Sequence, residues 1–467
     1  MDRQPDIIRF GNDGWHARFD DGFSEANVVR VVDALGLLWS DDAPGATIYV
    51  GYDRRHDSSV LAREAAGVLS SFGLRACVSD VACPTPAVAW SCAQDEAALG
   101  TLVITASERS CEYGGILVRA ADGGPCPRSF LDEVEQTISS SPSKQRGLIE
   151  KRDLMGPYMA ALTSFVDAGA LAAARPRVVV DPMFGAGSGH LAALLTAVGC
   201  DVVEIHVEPH EDFDGIHPAP QDPWADACEQ AVVAQGAALG VLLDGDGDRA
   251  AVVDEHGSIL PARLLVPLVM GHLVEGHGAT GRVVTTLTCS ALVSRQAARL
   301  GCEMVSVPVG FPRIYREVLE GDVILGAEEY GGICVPAHLH ERDGLLVALL
   351  AVELLATSGV PMSQLVSELE SKIGSMRYTR RDVRLDPAVT QAFRNVLPGL
   401  NPPDVAGRVP VEVSHADGLR LQFEDDSWVL MRPSRAGALV RVYAEAPSEC
   451  ERDELLEGAC DIVRQGV

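Results

Sequence analysis

Three stretches of this chain repeat one pattern, in which a short β-branched apolar run leads through a small or polar loop into a helical segment and then a second apolar run. They cover residues 47–78, 177–205 and 282–307. Each helical segment is followed by a glycine, the residue most common just after a helix C-terminus. The pattern predicts βαβ units, and because parallel strands need such crossovers, helices should cover both faces of each sheet. Most of the chain is therefore predicted to form three α/β domains of related design.

The last segment of the chain follows a different pattern. After Arg377, apolar and polar residues alternate between Asp-Gly and Asp-Asp turn signals, which predicts a small antiparallel sheet with flanking helices. A chain of 467 residues also exceeds what one core usually supports. We therefore predict an α/β protein with three related α/β domains, built on mixed, mainly parallel sheets, and a small C-terminal α+β domain. The predicted domains cover residues 1–147, 148–255, 256–374 and 375–467.

The formal net charge of -28 argues against nucleic acid and anionic membranes as partners, because both would repel this chain. The most apolar stretch, residues 345–356, is too short to cross a bilayer, contains Glu353, and is predicted to form a buried helix. An anionic metabolite remains compatible with the charge, provided that a few arginines converge and a metal offsets it.

The twelve cysteines include no C-x-x-C pair, and several lie among apolar residues. They are predicted to be small buried hydrophobes in a reducing compartment. The amino terminus is charged from its second residue and lacks a signal-peptide pattern. The protein is therefore predicted to be cytoplasmic, and we expect a monomer or a homodimer.

An acidic loop between two apolar runs places Asp244, Asp246 and Asp248 at alternate positions with glycine between them. Glycine permits a tight turn, so the three hard oxygen ligands can face one ion of the size of Mg²⁺. An exposed turn without metal is the alternative. A calcium-binding EF-hand fits less well, because Arg249 stands where that loop needs glycine and the flanks resemble strands.

A serine follows another apolar strand in the segment TLVITASERS, where Thr105 and Ser107 stand directly after the strand. In isolation, a serine in this place is most often a helix cap. Beside a carboxylate-held metal, it could instead carry a phosphoryl group whose charge the metal screens during transfer.

A glycine-rich loop at residues 178–189 also follows a strand. It departs from the nucleotide-binding pattern G-x-G-x-x-G at His190, and a lone loop of this kind is weak evidence. A simple strand-to-helix turn is the better interpretation.

Two further loops carry polar groups suited to a sugar. The runs LGAEEYGG at 325–332 and AHLHERDG at 337–344 combine carboxylates, histidines and glycine turns. Such carboxylates can bracket sugar hydroxyls, although a solvated acidic loop is the alternative.

The richest local cluster of arginines lies near the carboxyl terminus. It contains Arg432, Ser434, Arg435 and Arg441 at a strand-to-loop junction. Guanidinium groups with a hydroxyl and loop amides commonly bind phosphate. An ordinary exposed basic turn is equally compatible with this pattern.

In this order, the segments resemble the α-D-phosphohexomutase family, the phosphoglucomutase and phosphomannomutase group, from Phe10 to about Ala446. The metal loop DGDGDR of that family stands intact at 244–249, its phosphoserine loop TASHNP resembles TASERS at 105–110, and its sugar loop GEESGG resembles AEEYGG at 327–332. Further similar segments are FGNDGWHARF at 10–19, VGYDRR at 50–55, PTPAVAW at 84–90, AHLHERDG at 337–344 and RPSRAGA at 432–438. The resemblance implies three α/β domains and a small terminal domain, in agreement with the independent pattern of the chain.

The resemblance also implies a reaction. In the family, a phosphoserine passes its phosphoryl group to a hexose phosphate, Mg²⁺ bridges the serine phosphate and the aspartates, and a bisphosphate intermediate returns its other phosphate. It implies Mg²⁺ as the cofactor, a sugar phosphate as the substrate, and a metal site formed by Ser107, Asp244, Asp246 and Asp248. The predicted catalytic residues are Ser107, Arg249 and His338, and the predicted substrate-binding residues are His16, Arg18, Glu328, Tyr330, Arg432, Ser434, Arg435 and Arg441.

Departures from the family pattern lie in the same loops. They are His16, Glu108, Arg109, Leu117, Pro312, Tyr330 and the run RAGA at 435–438. Leucine can neither move protons nor bind phosphate, and Glu108 adds negative charge beside a phosphoserine. We predict a Mg²⁺-dependent phosphohexomutase-like enzyme, and two alternatives stay open: another sugar-phosphate chemistry, such as phosphatase or elimination, and a non-catalytic sugar-phosphate-binding protein.

Overall fold

Four β-sheets follow one another along the chain in the computed structural model, which describes residues 7–12, 14–210, 212–434 and 437–465. The first sheet has six strands. Its elements are β1 (Trp15–Arg18), α1 (Glu25–Asp42), β2 (Thr47–Tyr52), α2 (Ser58–Ser71), β3 (Arg75–Ser79), α3 (Thr85–Ala93), β4 (Ala98–Ile104), β5 (Tyr113–Ala120), α4 (Arg128–Thr137) and β6 (Glu150–Arg152). The strand order is β1-β5-β4-β2-β3-β6, in which β4, β2, β3 and β6 are parallel, β5 is antiparallel to β4, and β1 is antiparallel to β5. The predicted βαβ unit at 47–78 is β2, α2 and β3.

The second sheet repeats this plan with five strands. Its elements are α5 (Met155–Phe165), α6 (Ala168–Ala174), β7 (Arg177–Asp181), α7 (His190–Ala197), β8 (Asp201–Glu204), a 3₁₀ turn (Phe213–Gly215), α8 (Asp226–Gln235), β9 (Leu239–Leu243), β10 (Ala250–Val253) and β11 (Ile259–Leu260). The order is β11-β10-β9-β7-β8, with β9, β7 and β8 parallel. The predicted unit at 177–205 is β7, α7 and β8, and the glycine-rich loop at 178–189 forms the turn that leads into α7.

The third sheet has four strands and the most helices. Its elements are α9 (Ala262–Gly271), a π-helical turn (His272–Gly276), β12 (Arg282–Thr286), α10 (Ala291–Leu300), β13 (Met304–Val307), α11 (Phe311–Leu319), β14 (Val323–Ala327), β15 (Ile333–Cys334), α12 (Gly344–Ser358) and α13 (Met362–Ile373). The order is β13-β12-β14-β15, and only β15 is antiparallel to its neighbour. Gly301 ends α10 in the left-handed conformation (φ 72°), as predicted for the unit at 282–307.

Helix α12 is the buried helix that the apolar run at 345–356 predicts. Its side chains from Leu345 to Val352 are almost fully enclosed in the largest hydrophobic core. Within the described residues, no individual helix has both the length and the apolar character needed to span a membrane. Helices α12 and α13 reach that length and apolar character only when they are taken together, and the pair is bent by 87°.

The fourth sheet is entirely antiparallel. Its elements are β16 (Arg377–Arg384), α14 (Pro387–Val396), a 3₁₀ turn (Leu397–Gly399), β17 (Glu412–Ser414), β18 (Leu419–Gln422), β19 (Trp428–Pro433), β20 (Leu439–Ala446) and α15 (Glu449–Gln465), in the order β16-β20-β19-β18-β17. Its alternating apolar residues pack against α15. Three mixed sheets with helices and one antiparallel sheet confirm the predicted fold class.

Two strands lie just beyond predicted domain boundaries. Strand β6, after residue 147, pairs with β3 of the first sheet, and β11, after residue 255, pairs with β10 of the second. Both strands are the last of their sheets and are too short to show a hydrophobic pattern, so a shift in composition could not locate them. The domain division at 147, 255 and 374 remains a prediction.

Candidate functional site

Three loops occupy equivalent places in the three α/β sheets. In each sheet, a strand parallel to its neighbour ends and the chain turns into an antiparallel strand: β4 into β5, β9 into β10, and β14 into β15. The first loop carries Ser107, the second carries the aspartates, and the third carries Glu328. The carboxyl ends of parallel strands are where open α/β sheets bind ligands, so each loop lies where its own sheet would bind one.

The aspartate loop, residues 244–249, is enclosed by protein. Asp244, Asp246 and Asp248 are at most 1% exposed, and one carboxylate oxygen from each lies within 4.8 Å of the others. Thr85 at the start of α3 donates its hydroxyl to Oδ2 of Asp246 at 2.6 Å, and its backbone N–H donates to the Asp246 carbonyl at 2.9 Å. The first domain therefore orients one of the three carboxylates directly.

Burial and mutual repulsion make the loop unstable as three bare carboxylates. Burial raises the pKa of Asp244 well above its ordinary value, and the neighbouring charges of Asp248 and Asp246 raise it further. Burial and the charge of Asp248 likewise raise the pKa of Asp246. A cation among these oxygens would relieve both effects.

Unsatisfied oxygens show that a metal fits this loop. Oδ1 of Asp246 and Oδ1 of Asp248 are buried and have no hydrogen-bond partner within the described residues. Buried polar atoms are normally satisfied, and hard carboxylate oxygens are the ligands that Mg²⁺ and Ca²⁺ prefer. The residues present therefore suit a divalent metal.

Ser107 lies at the mouth of the aspartate loop. Its hydroxyl donates to Oδ2 of Asp244 at 3.0 Å and accepts from Nη1 of Arg249 at 3.2 Å. Ser107 has φ of 50°, a left-handed conformation that costs a non-glycine residue free energy and is most often tolerated at functional sites. Arg249 also pairs with Glu108 at 3.0 Å, so one guanidinium joins the serine, the metal loop and the neighbouring glutamate.

Arg55 fixes the backbone of the serine loop. Its buried guanidinium donates to the carbonyls of Ser107 and Arg109 at 2.6 Å and of Ser110 at 2.7 Å, and Asp53 holds its Nε at 2.9 Å. This accounts for the loop conformation, because successive carbonyls converge on one cation.

Gly245 lets the serine loop and the aspartate loop touch. A Cβ at this position would lie 2.5 Å from the carbonyl oxygen of Ser107. Gly185, in the glycine-rich turn, packs as closely: a Cβ there would lie 2.8 Å from the Gly245 carbonyl, and Ala186 N–H donates to that carbonyl at 2.9 Å. The turn at 178–189 therefore supports the aspartate loop from behind.

We expect Gly245→Ala to lower turnover by about 100-fold while the protein stays folded, because displacing a reacting group by about 1 Å has that effect. Steady-state kinetics with thermal unfolding as a fold check measures this. Gly399→Ala is the matched control, since its Cβ would meet nothing within 4 Å. Unchanged turnover in Gly245→Ala would show that the close approach of the two loops is dispensable.

Arg342 connects the aspartate loop to the predicted sugar loop. Its side chain is 1% exposed, pairs with Oδ2 of Asp248 at 2.7 Å, and donates to Oε2 of Glu328 at 2.7 Å. Its guanidinium lies 5.0 Å from the ring centre of Phe311. One buried arginine thus fixes the relative positions of the aspartate loop and Glu328.

A cavity of about 520 Å³ opens beside these loops. Among the residues that line it are Glu108, Glu328, Tyr330, Thr288 and Tyr378, together with apolar side chains of β11 and α9. The cavity size suits a small ligand. Arg380 of β16 stacks over the Tyr330 ring at 5.2 Å, so the fourth sheet holds this tyrosine in place.

One face of the fourth sheet carries the predicted phosphate-binding arginines. Arg432 and Arg441 lie directly opposite each other on β19 and β20, and Arg441 is opposite Asp382. Arg432 donates to Asp417 at 2.8 Å, and Asp417 accepts the Val309 N–H at 2.9 Å. Two like charges in a directly opposed pair destabilise a sheet unless they are offset, and here Asp417 lies beside Arg432 and Asp382 lies 3.7 Å from Arg441.

The remaining residues of this cluster differ in their surroundings. Arg394 donates to the carbonyl of Ser434, which fixes the backbone of that loop. Arg435 lies outside the described residues. Tyr378 on β16 shares the face of Arg432 and lines the cavity, so the face continues toward Glu328.

Three further predicted residues remain to be placed, and two of them are on β1. His16 pairs with Gly115, beside the carbonyl of Thr105, and so adjoins the serine loop. Arg18 is an exposed ion-pair partner of Asp20 and Glu112.

His338 is the third, a predicted catalytic residue whose described contacts are structural. Its imidazole is 4% exposed, lies 3.2 Å from Asp343, and packs beside the rings of Tyr158 and Phe165 at about 6 Å. The histidine side chain therefore packs into the hydrophobic core next to α5. In the part of the chain that the structure describes, it contacts neither Ser107 nor the cavity.

Sequence reasoning missed Arg55, Thr85 and Arg342 as site residues. Each stands in a segment that resembles the family, namely VGYDRR, PTPAVAW and AHLHERDG. A charged or hydroxyl residue in such a segment was the available signal, but its partners are distant along the chain.

Family profiles match most of this chain. The phosphoglucomutase/phosphomannomutase alpha/beta/alpha domain I matches residues 8–145, domain II matches 156–257, and domain III matches 265–373. These matches contain the serine loop, the aspartate loop and the Glu328 loop, respectively.

Relatives match this chain over nearly its whole length and theirs. A phosphoglucomutase/phosphomannomutase of Thermococcus kodakarensis is 31% identical over 454 residues, 96% of each chain. A phosphoglucosamine/phosphogalactosamine mutase of Sulfurisphaera tokodaii is 26% identical over 463 residues, 97% of this chain and 98% of the relative. A provisionally named phosphomannomutase from Thermus thermophilus has a crystal structure with a TM-score of 0.88 and 30% identity, covering 98% of this chain and 100% of the other.

Proposed function

Because the chain belongs to the phosphoglucomutase/phosphomannomutase family, whose isomerases move a phosphoryl group within hexose phosphates, we propose that it does so with Ser107 as the phosphoryl carrier and Mg²⁺ in the aspartate loop. The observation that carries this proposal is the Ser107 hydroxyl, 3.0 Å from Asp244 and 3.2 Å from Arg249. A nucleophilic oxygen so close to a buried acidic cluster would suffer repulsion as a phosphoserine unless a metal were present. The serine and the metal loop therefore function as one unit.

When bound, Mg²⁺ supplies positive charge that screens the transferring phosphoryl oxygens, and the all-oxygen ligand set suits this ion. Arg249 donates to the same side of Ser107 and stabilises the charge that develops on the leaving serine oxygen. Arg55 and Thr85 are positioning residues, since they hold the serine loop and Asp246 in place.

Glu108 is the proposed base of the transfer step. Its carboxylate lines the cavity, is partly exposed, and pairs with Arg249 at 3.0 Å. It would accept the proton of the attacking sugar hydroxyl while the phosphoryl group leaves Ser107, so that the sugar gains the phosphoryl group and Glu108 the proton. The Ser107 oxygen would be left negatively charged beside Arg249 and would take up the other phosphoryl group of the bisphosphate in the reverse transfer. Glu108 would then return its proton to the sugar oxygen from which that group leaves, which completes the isomerisation through a hexose bisphosphate.

The substrate would lie between the cavity and the fourth sheet. Glu328, fixed by Arg342, would accept hydrogen bonds from sugar hydroxyls, and Tyr330 would border the ring. Arg432 and Arg441, with Ser434, would bind the phosphate that is not transferred. Arg435 belongs to this group only by prediction. His16, which lies beside Thr105, would contribute to substrate binding.

Two predicted residues are left out of the proposed site. His338 contacts Asp343 and core aromatic rings, and the charge of Arg18 is already paired on the surface. We also propose a cytoplasmic monomer or homodimer. Light scattering of the purified chain would contradict the proposed oligomeric state if it gave a larger assembly.

Metal removal tests this function. We expect chelator-treated protein to lose exchange between hexose 1-phosphates and 6-phosphates, followed by phosphorus NMR, and added Mg²⁺ to restore it. Asp246→Asn should raise the Mg²⁺ concentration needed for half-maximal rate by at least about tenfold, because one charged ligand is lost. Asp41→Asn, which changes an exposed aspartate near the end of α1, is the matched control.

The sugar panel decides between the proposal and its alternatives. Glucose, mannose and glucosamine phosphates, with a hexose 1,6-bisphosphate as activator, should give 1-to-6 exchange with at least one sugar. Release of free phosphate or of a dehydrated sugar, without exchange, would contradict the proposal, and so would full activity in chelator.

A further inference from the structure

A second group of metal-binding side chains lies away from the aspartate loop. His272 and His277 flank the π-helical turn that continues α9, and Glu353 lies on the neighbouring helix α12. One ligand atom from each of the three residues lies within 4.8 Å of the others. Nothing in the proposed reaction uses them.

The π-helical turn brings the two histidines to one side. Residues five apart on an α-helix point about 140° away from each other, since each residue turns about 100°. The turn His272–Gly276 has the wider i to i+5 hydrogen bonding, with His277 N–H donating to the His272 carbonyl at 3.1 Å. Such turns are rare and occur frequently at functional sites. Both Nε2 atoms then lie 2.8 Å from the same oxygen, Oε2 of Glu353.

A backbone hydrogen bond orients the Glu353 carboxylate toward the two histidines. Oε1 of Glu353 accepts the backbone N–H of Asp167 at 2.6 Å, which leaves Oε2 directed at the imidazoles. Among the described residues, the ion-pair partners of Glu353 are these two histidines and no lysine or arginine. A fixed carboxylate oxygen facing two imidazole nitrogens is the donor set of a transition-metal site rather than of a Mg²⁺ site.

The surroundings suit a small enclosed site with one open side. The side chains of His272 and Glu353 are 5% and 3% exposed. That of His277 is 24% exposed and stacks on Phe165 at 5.7 Å, so solvent reaches the group from this side. Leu273, the residue after His272, belongs to the largest hydrophobic core.

We propose that His272, His277 and Glu353 form a structural Zn²⁺ site, with water as the fourth ligand. Each imidazole binds in its neutral form through Nε2, so the proton that Nε2 now donates to Glu353 moves to Nδ1. The ion fixes the π-helical turn to α12. Through Asp167 it also ties the loop between α5 and α6 of the second unit to the third.

Zinc binding in the presence of Mg²⁺ tests the proposal. The full chain is stripped with chelator, given excess Mg²⁺ to fill the aspartate loop, and titrated with Zn²⁺ by calorimetry and with Co²⁺ by visible absorption. We expect the chain to bind one equivalent of Zn²⁺ or of Co²⁺, and the bound Co²⁺ to show the intense absorption bands of a four-coordinate site. Zn²⁺ should also raise the thermal unfolding midpoint. Asp246→Asn should keep this equivalent, which separates the two sites.

Conservative variants make the test specific. His277→Gln keeps a hydrogen-bond donor for Glu353 but is a poor ligand, and we expect at least about 100-fold weaker Zn²⁺ binding. His256→Gln, whose side chain is 70% exposed, is the matched control and should bind normally. If His272→Gln fails to fold, the partly exposed His277 variant decides alone. Absence of the equivalent in the wild-type chain, or equal Zn²⁺ affinity in His277→Gln, would overturn the proposal.

Discussion

Replacing Ser107 with alanine should lower hexose phosphate isomerisation by at least about 1000-fold, because loss of a covalent carrier removes the reaction path rather than one contact. The fold should survive. The hydroxyl is linked to Asp244 and Arg249 at the mouth of the aspartate loop, while Arg55 holds the loop through backbone carbonyls that alanine retains. Steady-state kinetics with Mg²⁺ and bisphosphate activator measures the loss.

Ser110→Ala is the matched control for this change. Ser110 stands in the same loop, and Arg55 contacts its carbonyl, which alanine also provides. It should keep turnover within a few fold. A Ser107→Ala variant with wild-type turnover would contradict the carrier role, even if Mg²⁺ dependence persisted.

Replacing Arg342 with alanine should destabilise the protein by about 3–5 kcal/mol, because it removes the closest cationic partner of the buried carboxylate of Asp248, 2.7 Å away. Turnover should also fall, since Glu328 loses the partner that orients it. Arg342→Lys keeps the charge but cannot reach both carboxylates in the same planar geometry, so it should recover stability more than turnover.

Calorimetric unfolding and kinetics on the same preparations separate these effects. Arg316→Ala, which changes an exposed arginine of α11, is the control and should leave both quantities unchanged. An Arg342→Ala variant with unaltered unfolding and turnover would show that the buried link between the aspartate loop and Glu328 has no role.

The fold was accessible from the sequence because its signals are local. Short β-branched apolar runs and the glycines after each helix define β2-α2-β3 and its two repeats, and aspartates that alternate with glycine define the aspartate loop. These features depend on neighbouring residues alone. The equivalence of the three functional loops follows from strand pairing, which no local pattern shows.

The site was accessible only in part, because its geometry depends on distant pairs. Thr85 and Asp246 are 161 positions apart, and Arg119 and Glu341 are 222 apart. Nothing near Arg55 in the chain indicates that it will meet the carbonyls of Ser107 and Arg109. Nothing near Arg342 indicates that it will pair with Asp248. Likewise, nothing near His338 in the chain indicates that its imidazole will pack with the rings of Tyr158 and Phe165.

The most direct test of the central claim follows a labelled phosphoryl group. The protein with Mg²⁺ is incubated with a hexose bisphosphate labelled in both phosphates, freed of excess label, digested, and read by peptide mass spectrometry. The account predicts label on Ser107, and its disappearance into hexose phosphate when unlabelled substrate is added before digestion. Label that reaches product without passing through Ser107, or that settles on another residue, would contradict it.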